Sequence, residues 1–84
     1  MSTDTIDSQI RSALADHGRL NKDAHQLAPA DDLYQAGLTS HASVNLMLAL
    51  EALFDIEFPD HLLNRSVFSS IENIRAALTE ITVA

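Results

Sequence analysis

The side chains able to do chemistry in this chain are four histidines, a Ser40-His41 pair, two acids beside the single tyrosine, and hydroxyl residues ahead of an apolar run. His17, His25, His41 and His61 stand at no i, i+3 or i, i+4 spacing to one another, and there is no Cys to complete a ligand set. A metal centre is therefore not expected. Ser40 and His41 have the types of a nucleophile and its base, but neighbours on a helix project about 100° apart and do not face each other. Asp31 and Asp32 next to Tyr34 lack the alternating acids, central Gly and closing Glu of a calcium loop, so they are expected to be solvated. The segment Ala36-Gly37-Leu38-Thr39-Ser40-His41 reads differently. A Gly ends a loop, a Leu can plug into a core, and a hydroxyl residue opens a helix. Thr39 or Ser40 can be nothing more than the helix N-cap. Equally, the amides of a helix N-terminus favour a phosphate attached to a hydroxyl at that point.

The elements that must position these residues are helical. Only two Gly and two Pro interrupt the chain, and apolar residues recur at the helical period. Ile6, Ile10, Ala13 and Leu14 predict a first helix over residues 4–17, stopped by Gly18, with His17 complementing the negative end of its dipole. Residues 18–38 are too sparse in apolar positions for a helix. They predict a long loop with a short turn near 31–36, anchored by Leu27, Leu33 and Leu38. From Ser40 to Phe54 the apolar surface is wide: Val44, Met47 and Leu48 lie on one stripe and Leu46, Leu50, Leu53 and Phe54 on the next. This leaves Ala42, Asn45 and Ala49 for a polar side. Pro59 ends that region, and Asp60 is expected to cap a short helix over 60–64. Ser69 with Glu72 reads as a capping box opening a last helix over 70–81, whose stripe is Ile71, Ile74, Leu78 and Ile81. The expected architecture is all-α, a small antiparallel four-helix bundle of three main helices and one short one, with a long first loop.

At 84 residues the chain is read as a single domain over 1–84. A chain of this size hides only about 60 to 65% of its unfolded surface, which argues against a deep catalytic cleft. Twelve acidic against five scattered basic residues give a formal charge of -7, which disfavours nucleic acid and anionic membrane surfaces. No apolar run approaches the length of a membrane span, and the Met1-Ser2-Thr3-Asp4 start has no basic and apolar leader, so a cytoplasmic location is expected. Without Cys, the chain has no thiol of its own.

The run from Val44 to Asp60, with Ala49-Leu50-Glu51, Phe54-Asp55-Ile56-Glu57 and Pro59-Asp60, resembles the second helix and following loop of acyl carrier proteins. The likeness extends to the amphipathic first helix, a long loop ending in Gly37-Leu38, and the closing Ser70-Ile71 helix. It implies a bundle carrying 4'-phosphopantetheine covalently on a serine at the start of helix two, and the register from Ala49-Leu50-Glu51 puts that serine at Ser40. The triplet is Thr39-Ser40-His41 where the family usually has Asp-Ser-Leu, and helix two offers Glu51 as its single acid, with Asn45 in place of a carboxylate. The run Gly37-Leu38-Thr39-Ser40-His41-Ala42-Ser43-Val44 is most similar to small bacterial aminoacyl carrier proteins. That resemblance implies a non-enzymatic monomer holding an aminoacyl thioester. Its partners would be a phosphopantetheinyl transferase and an amino acid:carrier-protein ligase resembling a seryl-tRNA synthetase core. Docking would involve Thr39, His41, Ser43, Val44, Asp60, Leu62, Leu63 and Asn64 around Ser40. Two other readings stay open: a carrier of fatty-acid or polyketide type, and a small acidic interaction module in which Ser40 only caps the helix.

Overall fold

The computed structural model describes residues 3–83, so the reading of the first two residues as part of a leaderless start lies outside the described residues. Three α-helices form, α1 (Thr3–His17), α2 (Ser40–Phe54) and α3 (Ile71–Val83), with no strand among the described residues. None of these helices is long and apolar enough to cross a membrane. α1 packs against both others and donates Ile10 and Leu14 to the centre. Leu46 and Leu50 enter from α2, and Ile71, Ile74 and Leu78 enter from α3. The Arg75 guanidinium bonds both carboxylate oxygens of Asp7 at 3.0 and 3.1 Å, tying α3 to α1.

The first loop is long but not structureless. It holds a 3-10 turn at Ala24–Gln26, capped by the Asp23 side chain, and its anchors Leu27, Leu33 and Leu38 are all buried as expected. The Arg11 guanidinium donates to the carbonyls of Ala24 and Leu27 at 2.9 and 2.6 Å. Further on, the Leu33 N–H donates to Ser69 O and the Glu72 N–H to Pro29 O, so backbone bonds stitch the loop to the entry of α3. Asp31 and Asp32 are exposed, yet they accept from the backbone N–H groups of Ala28 and Tyr34 and so build the turns. Gly37 closes the loop at φ +110°, and a side chain there would meet the Asn21 backbone nitrogen at 3.3 Å.

Four expectations are corrected. The short fourth helix over 60–64 is a single 3-10 turn, Asp60–Leu62, preceded by Pro59 and not capped by a side chain, so Asp60 opens the turn without capping it. Asn64 ends it by donating to His61 O and accepting from Val67 N–H. At α3 the cap is Ser70, whose Oγ accepts from the Asn73 N–H at 3.1 Å; Ser69 instead donates to Ser66 O, and no capping box forms. On α2 the buried face is Ala42, Leu46 and Leu50, whereas Val44, Leu48 and Leu53 are about half exposed. A helix apolar nearly all round offers no local preference for one face, and α1 together with the loop anchors selects it. Leu62 is buried and its neighbour Leu63 exposed, because adjacent residues of a helical turn project about 100° or more apart and cannot both point inward.

α2 ends at Asp55, which takes the left-handed conformation at φ 53° and donates its N–H to Glu51 O. The Glu51 carboxylate then accepts from Phe58 N–H at 2.9 Å, folding the chain back so that Phe58 packs on Phe68 with ring centroids 5.6 Å apart. The acid of α2 thus serves the fold.

Candidate functional site

The start of α2 separates two hydroxyls that the sequence left equivalent. Thr39 is the N-cap, with extended backbone and its Oγ1 accepting from the Ala42 N–H at 3.0 Å. Ser40 is the first helical residue, exposed, and its Oγ has no hydrogen-bond partner among the described residues. The Ser40 and His41 N–H groups have no backbone acceptor there, as expected in the first turn of a helix. Ser43 Oγ turns back to donate to Ser40 O at 2.7 Å. Ser40 is therefore not a cap. Its hydroxyl projects beside two unpaired amides at the positive end of a 15-residue helix.

Ser40 lines a groove of about 330 Å³ between α2 and the chain after the second 3-10 turn. Ser43, Val44, Leu63 and Asn64 line it too, so half of the eight expected docking residues meet Ser40 in one depression. Thr39 and His41 flank it on the surface, and Asp60 is exposed outside it. Leu62 leaves the set because it is part of the core. The histidines stay apart, and no group of three metal-ligating side chains exists among the described residues. His61 instead meets Glu80 at 2.8 Å on the exposed surface.

Sequence reasoning missed Tyr34, Met47, Arg65 and Phe68, which complete the groove. The Arg65 guanidinium lies over the Tyr34 ring, 3.8 Å from its centroid, and Tyr34 Oη donates to Arg65 O at 3.0 Å. The available signal was rarity: Tyr34 is the single tyrosine, and Arg65 the one cation between Lys22 and Arg75. No spacing rule joins residues 31 apart. Burial raises the Tyr34 hydroxyl above its ordinary range, Arg65 opposes the shift and Asp32 adds to it. The fold thus favours the neutral phenol. Its contribution to stability is present below about pH 10 and is lost as pH rises through the raised folded value. The phenolate absorbance of the native chain will show a midpoint above that of the urea-unfolded chain, and Tyr34→Phe will lose less stability at alkaline pH than wild type.

Residues 8–78 match the phosphopantetheine attachment site family, PP-binding. An aminoacyl carrier protein of Agrobacterium fabrum is 52% identical over 69 residues, covering 82% of this chain and 83% of the relative. The chain belongs to the aminoacyl carrier proteins. The same fold occurs in the crystal structure of an engineered Bradyrhizobium japonicum glycine:[carrier protein] ligase complexed with carrier protein from Agrobacterium tumefaciens and AMP. There the identity is 49% and the TM-score 0.84, over 87% of this chain and 97% of that one. A second match, at 30% identity and TM-score 0.74 over 87% and 97% of the two chains, is the Bradyrhizobium japonicum ligase complexed with glycylated carrier protein. Aminoacyl carrier proteins hold 4'-phosphopantetheine covalently and present an aminoacyl group to partner enzymes. The start of α2 fits that group: an exposed hydroxyl with no other duty, unpaired amides for a phosphodiester anion, and an adjoining groove.

Proposed function

We propose that Ser40 is the attachment residue and that the chain presents an aminoacyl group as a thioester at the end of the arm. The observation that supports this most directly is the division of labour at α2: Thr39 takes the cap and leaves the Ser40 hydroxyl unengaged. Bound there, the prosthetic arm supplies the thiol that a chain without Cys lacks. The bundle then needs docking surface and no catalytic groups of its own, because acyl transfer takes place in the partner's active site. The partners in this reading are a phosphopantetheinyl transferase and an amino acid:carrier-protein ligase with a core like that of seryl-tRNA synthetase, both acting on a cytoplasmic monomer. Docking falls to Thr39, His41, Ser43, Val44, Asp60, Leu63 and Asn64. Val44 and Leu63, 51% and 44% exposed, supply the apolar contact.

Incubation with a broad-specificity transferase and coenzyme A, which gives up its phosphopantetheine and leaves as adenosine 3',5'-bisphosphate, will add the mass of one arm, mapped to the peptide containing Ser40. Addition at another residue, or none, overturns the assignment. A ligase with ATP and an amino acid will then load the holo chain, while malonyl transfer and chain elongation would instead mark a carrier of fatty-acid type. Val44→Asp will keep its fold and its arm but slow ligase loading at least about tenfold, equivalent to ~1.4 kcal/mol of lost docking.

A further inference from the structure

Of the five cations in the chain, Arg11 is occupied by two loop carbonyls and Arg75 by Asp7. Arg65 has neither commitment. Among the described residues its guanidinium meets no carboxylate and no hydrogen-bond acceptor, although the chain carries a formal charge of -7. What holds it is the Tyr34 ring beneath, itself anchored by the bond from its hydroxyl to Arg65 O and by its N–H to Asp32. A guanidinium held over an aromatic ring makes no hydrogen bond to it through its remaining N–H donors, which stay available to a planar or tetrahedral anion. Stacking also restricts the side chain in advance, so less freedom is lost when an anion binds. The segment bearing Arg65 is fixed as well, since Asn64 bonds His61 O on one side and the Val67 N–H on the other. Arg65 is the one cation lining the groove into which Ser40 opens.

We propose that Arg65, stacked on Tyr34, is a positioning residue that pairs with the phosphodiester on Ser40 and directs the first part of the arm along the groove beside Val44 and Met47. The inference rests on the reading of Ser40 as the attachment residue. Charge complementarity selects the occupant: an isolated cation shares a groove with the hydroxyl that acquires an anionic linkage. An exposed ion pair is weak, so the pairing biases the arm's direction and still releases it to a partner's active site.

NMR of the full chain in apo and holo forms tests this, after intact mass has established that the arm is present on Ser40. The Arg65 Nε–H resonance is expected to move on conversion to the holo form more than that of Arg19, and the difference to shrink as sodium chloride is raised. The phosphorus resonance of holo Arg65→Gln is expected to shift toward that of the urea-unfolded holo chain, with Arg65→Lys intermediate. The Tyr34 titration midpoint will rise on attachment, because a nearby anion disfavours the phenolate. If the arm is present on Ser40 but the Arg65 and phosphorus resonances are indifferent to attachment and substitution, the proposal is overturned and the attachment reading stands. If those resonances are indifferent while ligase loading slows in Arg65→Gln, Arg65 is a partner contact, and the proposal likewise falls. Failure to gain the arm overturns both readings. Should Arg65→Gln unfold, the apo-to-holo comparison in wild type decides alone.

Discussion

Ser40→Ala will gain no arm from the transferase, and its melting temperature will stay within about 3 °C of wild type. The hydroxyl is exposed and bonds nothing among the described residues, so its removal leaves no buried group unsatisfied. Thr39→Ala will behave in the opposite way. It deletes the acceptor of the Ala42 N–H and will lower stability by about 0.5 to 2 kcal/mol, the usual effect of losing an N-cap, while the arm is still attached. For a domain of this size that is a fall of roughly 4 to 8 °C in melting temperature per kcal/mol. Intact mass and thermal denaturation of the two variants therefore separate attachment from folding at adjacent positions. If Ser40→Ala lost stability like a cap mutant while Thr39→Ala did not, the assignment of the two hydroxyls would be reversed.

Leu33→Ala will destabilise the protein by about 2 to 5 kcal/mol, as large a loss as truncating a leucine inside a helix. Leu33 lies outside any helix, yet it is fully buried, and its N–H donates to Ser69 O while its carbonyl accepts from the N–H groups of Ala36 and Leu38. The loss is a large share of the total stability of a small domain, which is on the order of 5 to 15 kcal/mol. Because Tyr34 follows Leu33 directly, the variant will also loosen the Arg65 stack, visible as a change in the fluorescence of the only tyrosine in a chain without Trp. Leu48→Ala is the control. At 53% exposure on α2 it will shift stability by no more than about 0.5 kcal/mol, and urea denaturation of the two variants measures the contrast.

Much of this fold is legible in the amino-acid sequence. The helical period placed all three helices to within a few residues, and Gly37 and Pro59 marked the breaks on either side of α2, whereas Ser40 was singled out by the resemblance to acyl carrier proteins. The loop anchors were readable because leucines in a polar segment have little reason to exist except burial. The α3 cap slipped by one residue because Ser69 and Ser70 are chemically equivalent, and only the turn made by Ser66 to Ser69 decides that Ser70 accepts from the Asn73 backbone N–H while Ser69 accepts from its side-chain amide.

Sequence by itself determined the three main helices to within a few residues, because their apolar period depends on residues three and four apart. Tertiary structure alone decided which face of α2 is buried and which of Leu62 and Leu63 reaches solvent, whereas the choice of Thr39 over Ser40 as cap is a local one that two adjacent hydroxyls leave open in the sequence. Tertiary structure also brought Tyr34 and Arg65 together beside Ser40. A helix whose apolar residues spread over most of its circumference and a pair of residues 31 apart contain no local period to read, so only the packing of α1 and the loop against α2 and α3 could settle them.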